Sequence, residues 1–416
     1  MKKILSAVLE AGILLGCLSI LLGQTPQKPL ENVFTLELSF GDKDVPSEYL
    51  LVQPSRIVVN EAGDIYVFDE YKIKVFDKNG KPKAIFGGRG QGPGEFEGRG
   101  LRLFISPEGW LTVSERNSWS VFSPANKLIS KNVFSSSVIF NTLKNDYNIS
   151  TGAGGAGQAI FVLNDKELIV NGNTASEEYY NEAGEYYDYL FYANLNKVSI
   201  ISQYRNTDTF FFSTGGGGEI IAGLTHVGNF RFAVLPDSRI LYTHTCHDVK
   251  YTSNTAQLTF HIISPAKNMK SEFSFTYKPE AIPDSVIKSY EPSTVEKRNN
   301  ESAKRMNQTP SKMSEEQKKM YNDIVNLLKQ KKYLPLFTAM QSDGVYLLLR
   351  CSYSDKKMSL IRVINAETGK EVSNFIQPSY FFIGTIKNGY AYLSTTPRDG
   401  YPIVQKYRID PRVYGK

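Results

Sequence analysis

Cysteine is almost missing from this chain: of 416 residues only Cys17, Cys246 and Cys351 are thiols. Three thiols make no disulfide framework, so the fold must rest on its own apolar core. Histidine is nearly as scarce, with four in all, and no Ser-His-Asp or Cys-His order can be drawn with specificity. Charge of one sign is lacking too. The formal net charge is +6, and loss of Lys2, Lys3 and Glu10 with a cleaved leader lowers it only to +5. Spread over a large surface, that surplus is ordinary solubility chemistry and not a basic stripe, so no nucleic-acid partner is expected. Leu-rich helical stretches are few. Tyr (25), Phe (24), Gly (32) and Pro (19) are instead plentiful, which suits many short strands joined by tight turns and predicts an all-β fold.

The N-terminus departs from that pattern. Met1-Lys2-Lys3 precedes an apolar run over 4–23, interrupted mainly by Ser6, Glu10 and Ser19, and the chain turns polar at Gln24. This is the layout of a secretory signal or lipoprotein signal, assigned to residues 1–26 and set apart from the fold. Three fates are open. Leu14-Leu15-Gly16-Cys17 resembles a lipobox and makes Cys17 a lipidation candidate, although 18–22 stay apolar where a lipoprotein turns polar. Cleavage after Gly23 places a small residue at the cut but leaves bulky Leu21 two positions before it. An uncleaved anchor would be barely long enough and would carry Glu10 in mid-span. The predicted location is accordingly periplasmic, outer-membrane or secreted, with membrane association only through a lipid on Cys17.

The fold is carried by an internal repeat. From Gly63, Val67, Asp69, Phe76 and Lys81, a step of 46 positions reaches Gly109, Val113, Glu115, Phe122 and Lys127. A repeat of that length holding four short strands is a propeller blade. In the first blade the strands are predicted at 57–59, 65–68, 73–76 and 83–86, with turns at 61–64 and 78–80 where Gly63 and Gly80 tolerate positive φ. The innermost strand, Ile57-Val58-Val59, is expected to be buried on both faces between neighbouring blades. Run backwards, the same step sets Phe40-Gly41 under Phe86-Gly87. Residues 33–40 thus become an orphan outer strand that completes the last blade and leaves no exposed edge. Later blades are placed at 160–204, 230–277, 336–375 and 381–409, so the count closes at six over residues 31–412. Residues 280–332 fit no blade. Ser314-Glu315-Glu316-Gln317 has the form of a capping box, and Met320, Ile324, Leu327 and Leu328 recur at helical spacing, so a helical insertion is predicted between blades four and five. Its stripe is expected to pack on the propeller, and the polar stretch 291–312 before it to be mobile.

With 54–96 in view, Ile57-Val58-Val59, Gly63-Asp64-Ile65-Tyr66-Val67, Ile73-Lys74-Val75-Phe76-Asp77 and Phe86-Gly87 resemble an NHL-type repeat. Together with the signal and the insertion, the chain resembles uncharacterised six-bladed propeller lipoproteins of Gram-negative bacteria. The resemblance implies architecture and export. It leaves function open, because NHL-like propellers serve as binding platforms, lyases and lactonases alike. Those enzymes hold a divalent cation in the central channel through His or carboxylate groups, and the inner strands at 57–59 and 103–105 offer none.

Two sets of residues are candidates for chemistry. The Gly-rich loop 87–94 precedes no helix, so it lacks the dipole and amide array of a phosphate loop and reads as a blade connection. His244, Cys246 and Asp248 would share one face if 243–248 were a strand, yet such spacing is common by chance, and neither a metal nor a cofactor is assigned. Cys246 and Cys351 fall at matching places on adjacent blades, where a bridge and two free thiols are both open. The natural binding surface is the face carrying the second-to-third-strand turns and the blade connections. It should display Glu70, Tyr71, Arg89, Gln91, Arg116, Asn117, His247, Tyr251, Arg350, Tyr353, Arg398 and Tyr401, in which Arg and Tyr are the usual anchors. The expectation is a monomeric, non-catalytic binding or scaffold propeller for an envelope protein, peptide or glycan, with a metal-dependent lyase or lactonase as the alternative.

Overall fold

The computed structural model describes residues 28–42, 45–98, 101–133, 137, 141–142, 145, 159–175, 186–194, 197–205, 209–214, 218–223, 228–351, 358–378, 384–398 and 400–416. Cys17, and with it the whole leader, lies outside the described residues. Among the described residues no helix is long and apolar enough to cross a membrane.

The chain is a six-bladed β-propeller of antiparallel sheets. Blade one is Pro54–Val59, Ile65–Asp69, Lys72–Phe76 and Pro82–Gly87, from the channel outward. Blade two follows as Arg102–Ile105, Leu111–Ser114, Ser118–Phe122 and Leu128–Val133, and blade three as Ala159–Val162, Glu167–Ala175, Tyr186–Asn194 and Lys197–Arg205. A hairpin, Thr209–Thr214 with Gly218–Gly223, stands between it and blade four. Blade four is Phe230–Val234, Ile240–His244, Ala256–Ser264 and Met269–Tyr277, with a short extra strand, Val249–Tyr251, paired to the start of the third. Blade five is Phe337–Asp343, Tyr346–Cys351, Met358–Asn365 and Lys370–Pro378. Thr385–Lys387, Tyr390–Thr395 and Ile403–Ile409 give three strands of blade six, and Phe34–Phe40 supplies the fourth, running antiparallel from Phe34 opposite Ile409 to Phe40 opposite Val404. The seam is locked from the C-terminal side, where Val413 and Tyr414 bury against Val33 and Phe375 and the Tyr414 hydroxyl donates to Asp343.

One expectation is reversed. The innermost strand is only partly buried, whereas the second strand, Ile65–Asp69, is buried at all five positions and its counterpart Leu111–Ser114 at all four. The reason is radial. One edge of the inner strand opens on the channel, while the second and third strands are covered by sheets on both sides.

The insertion enters and leaves at one point, since Leu334 N–H donates to Glu280 and Ile282 N–H to Lys332. It holds three helices, α1 (Asp284–Ser289), α2 (Pro292–Arg305) and α3 (Glu315–Lys331). Ser314 and Gln317 form the expected reciprocal cap on α3. The polar stretch taken as mobile is in part α2, opened by Pro292 at its first turn and held by one fully buried residue, Val295. The stripe of α3 closes on its own unit: Met320, Ile324 and Leu328 pack with Ile282, Leu334 and the half-buried Leu327.

Candidate functional site

The ladder registers align the inner strands residue by residue. Ile57 opposes Val67, Leu103 opposes Val113 and Phe232 opposes Tyr242 in blades one, two and four. The residue before each is an arginine: Arg56, Arg102 and Arg231. Two of the three obey the 46-residue step. Each lies in the first half of its inner strand, the end that follows the blade connection.

Two of these arginines also brace the ring. Arg56 Nε donates to the Leu101 carbonyl at 3.2 Å, and Arg231 donates from Nε and Nη2 to the Thr338 carbonyl at 3.1 and 2.7 Å. Leu101 and Thr338 are equivalent, each just before the aligned position of the next blade. A backbone carbonyl neutralises no charge, so the cations persist. Burial depresses the Arg102 pKa and the neighbouring Arg56 depresses it further. Burial likewise depresses Arg231, where Asp188 opposes the shift and Arg350 adds to it. Arg350, on the second strand of blade five, lies opposite Ala339, the residue of that blade aligned with these arginines.

In blade six the aligned position is Gly384, where a Cβ would lie 1.9 Å from the Tyr392 carbonyl oxygen. No side chain fits there. The space left at the seam of blades six and one is a cavity of about 630 Å³ that exposes Arg56, Ser394, Thr395, Gln405 and Tyr407 above Ile57 and Leu103. Deeper in the channel lies a second cavity of about 420 Å³, walled by Val58, Phe104, Phe161, Phe232, Met340 and Ile386 among others. Phe104, Phe161 and Phe232 meet edge to face with centroids 4.9 Å apart in both pairs. Among the described residues its lining contains no His, Cys, Asp or Glu. The geometry is an aromatic floor, shared with Gln341, Ser342, Thr385 and Lys387, beneath a rim on which Arg56 is exposed.

The residues expected on the loop face are dispersed around it. Glu70 and Tyr71 form the turn of blade one, both with positive φ (47° and 66°). Arg89 stacks on the Tyr71 ring with its guanidinium carbon 5.2 Å from the centroid, while Gln91 is exposed in the same connection. That connection is folded on itself, with Gly92 N–H donating to Glu95 at 2.9 Å, as a structural loop. Arg116 and Asn117 are exposed at the turn of blade two, and Arg398 and Tyr401 in the corresponding connection of blade six. Tyr251 stacks on Tyr333 of the insertion at 5.0 Å, so its ring is partly committed. Arg350 lies within a strand and not on a loop. Tyr353 lies outside the described residues.

His247 is exposed in blade four and near His244, but Asp248 does not share their face. The strand ends at His244 and turns, so alternation stops there, and Asp248 swings back to accept from the His244 N–H at 2.7 Å and the Tyr204 hydroxyl at 2.8 Å. Cys246 and Cys351 are free thiols. Burial pushes the Cys351 thiol up to about 12, leaving it inert.

Residues 36–98 match the DUF5128 family, described as a 6-bladed beta-propeller. No curated protein matches. Among solved structures, a Bacteroides fragilis protein described as exported is 12% identical, with 93% of this chain and 98% of that one covered at a TM-score of 0.43. The extracellular domain of a one-component system from Bacteroides thetaiotaomicron is 8% identical, covering 91% of this chain and 43% of that one at 0.33. A Bacteroides caccae protein of unknown function is 9% identical, covering 74% and 90% at 0.25.

Proposed function

We propose that this chain is an exported, non-catalytic binding propeller of the cell envelope that receives an acidic group of a protein, peptide or glycan at the arginine mouth of its channel. The observation that supports the reading is the recurrence of arginine at one register position in three blades, with the guanidinium groups of Arg56 and Arg231 braced by backbone carbonyls of the next blade. Arginine held this way is pre-organised for a carboxylate, sulfate or phosphate, and a low-dielectric ring focuses its field toward the opening. The aromatic floor would take the apolar face of the same ligand, and Arg89 with Tyr71 would extend the contact outward. Export, by lipidation at Cys17 or by release, and an NHL-type repeat in blade one belong to this proposal, as does a monomeric state.

Arrays of acidic and neutral oligosaccharides and peptides test it. Binding should favour acidic members, weaken with salt, and fall at least about tenfold in an Arg56→Ala/Arg102→Ala double variant, as loss of two charge-assisted contacts implies. Equal capture of acidic and neutral members, or unaltered capture by the double variant, removes the proposal. Arg89→Ala with Arg116→Ala reports separately on the outer loops.

A further inference from the structure

We infer that His244, Cys246 and His247 form a mononuclear zinc site at the seam of blades three and four. Its ligands are residues other than the mouth arginines, although Asp188 beside His244 also acts electrostatically on Arg231. One ligand atom from each of the three residues lies within 4.8 Å of the others. His244 Nδ1 and Cys246 Sγ are 3.3 Å apart, close to the roughly 3.5 Å that a nitrogen and a thiolate subtend on tetrahedral zinc.

The distal nitrogen of each imidazole faces an oxygen of blade three. His247 Nε2 lies 2.7 Å from the Arg205 carbonyl, to which it can only donate, so Nδ1 keeps its lone pair. His244 Nδ1 accepts from the Cys246 backbone N–H at 3.3 Å, a long contact that ligation of the same nitrogen would replace, and its Nε2 lies 3.8 Å from Asp188 Oδ2. A histidine whose distal N–H faces a carbonyl or a carboxylate is the usual outer shell of a bound metal. Tyr204 stacks against both rings, with centroids 5.1 Å from His244 and 5.8 Å from His247, and limits their rotation.

The backbone makes room for the thiol as well. Gly228 has φ of +123°, and a Cβ there would come within 2.6 Å of the Cys246 Cβ and 2.9 Å of its Sγ. Asp248 is engaged elsewhere and supplies no fourth ligand, so that position falls to water on the exposed His247 side. Two imidazoles and one thiolate select a borderline-soft late metal over calcium or magnesium. Zinc, indifferent to redox state, fits an open three-ligand site.

Chelator-stripped full-length protein should be titrated with Co(II) as a spectroscopic stand-in, followed by zinc displacement and elemental analysis. One equivalent should bind with a thiolate-to-cobalt charge-transfer band. Cys246→Ser should abolish the band, His247→Ala, at an exposed position, should weaken binding at least tenfold, and Cys351→Ser should change neither. Asp188→Asn, which leaves the three ligands unchanged, should weaken binding about 10- to 100-fold. Should Cys246→Ser fail to fold, zinc should still slow alkylation of Cys246 in the unaltered protein, read by peptide mapping. A cobalt spectrum without the sulfur band, or equal affinity in His247→Ala and the parent, overturns the site. Uptake of copper(I) with refusal of zinc overturns the choice of metal.

Discussion

Blades one and four use the same position for opposite ends. The second strand is five residues long in each, and its last residue is Asp69 in one and His244 in the other. Asp69 is buried and accepts the backbone N–H groups of Val52 and Gln53, which fastens the approach to the innermost strand. Its charge is met by Lys74 at 2.7 Å, and Lys74 also donates to the Leu50 carbonyl. Glu115 does the same work in blade two through the Gly98 N–H, at 2.7 Å. In blade four the work moves one residue along, where Thr245 accepts from the Asn229 N–H at 2.8 Å and donates its own N–H back at 3.1 Å. His244 is thereby released from bracing the ring and turns to Cys246 and His247. A repeat position that carries charge is thus architectural wherever the repeat is kept, and becomes available for chemistry where a neighbour takes over its hydrogen bonds.

The comparison breaks most readily at Asp69. Asp69→Ala leaves Lys74 buried without its counter-ion and strands two backbone donors, so a loss of about 3–5 kcal/mol is expected from urea unfolding. Adding Lys74→Met should return part of that loss, because the buried charge goes while the donors stay unpaired. His244→Ala, measured on metal-free protein, should cost less, about 1–3 kcal/mol for a buried ring with weak polar contacts. An equal or larger cost would mean that His244 braces the ring after all.

A second contrast separates the mouth arginines. Arg231 is partly buried and gives two hydrogen bonds to one carbonyl, whereas Arg56 is exposed and gives that carbonyl's counterpart a single one. Arg231→Ala should cost about 1–3 kcal/mol and Arg56→Ala under about 1 kcal/mol. The same denaturation series reads both. If Arg56→Ala proves the costlier, Arg56 is primarily a brace, and its share in the proposed ligand site shrinks accordingly.

The blades were legible in the sequence because turn glycines and apolar strand pairs repeat at a fixed step, and the orphan strand was legible because Phe40-Gly41 obeys it too. The arginine mouth was half legible. Arg56 and Arg102 stand 46 apart, but each precedes the apolar run that marks its inner strand. Arg231 was not legible, since blade four has lost the spacing and only its ladder register reveals the equivalence. The zinc cluster was hidden by an assumption of strand alternation through 243–248, where tight turns bring i and i+3 together instead. Helix α2 escaped because its segment is polar almost throughout and places only one residue, Val295, in the core.

The smallest effect expected is a pH dependence confined to blade four. His261 Nε2 lies 3.4 Å from Asp248 Oδ1 and its Nδ1 3.4 Å from Glu272. The hydrogen bond to Asp248 raises the imidazole pKa above its ordinary value against the opposing effect of burial. Burial would raise the Asp248 carboxyl, but His261, the His244 N–H and the Tyr204 hydroxyl outweigh it and hold the pKa low. His261 therefore contributes stability that is complete below its unfolded pKa of about 6.5 and drains as pH rises through the higher folded value. Asp248 contributes stability present above about pH 4 that is lost as pH falls through its lowered folded value. The pair should give a plateau between these limits. Because the ring is partly exposed, the decline on the alkaline side should stay below about 1 kcal/mol. Urea midpoints for the parent and His261→Gln between roughly pH 5 and 8 should converge at the alkaline end, since the variant lacks the term the parent loses there. Parallel curves would mean that the pair is held by packing and not by charge, and blade four would then differ from blade one only in the residues that gather around Cys246.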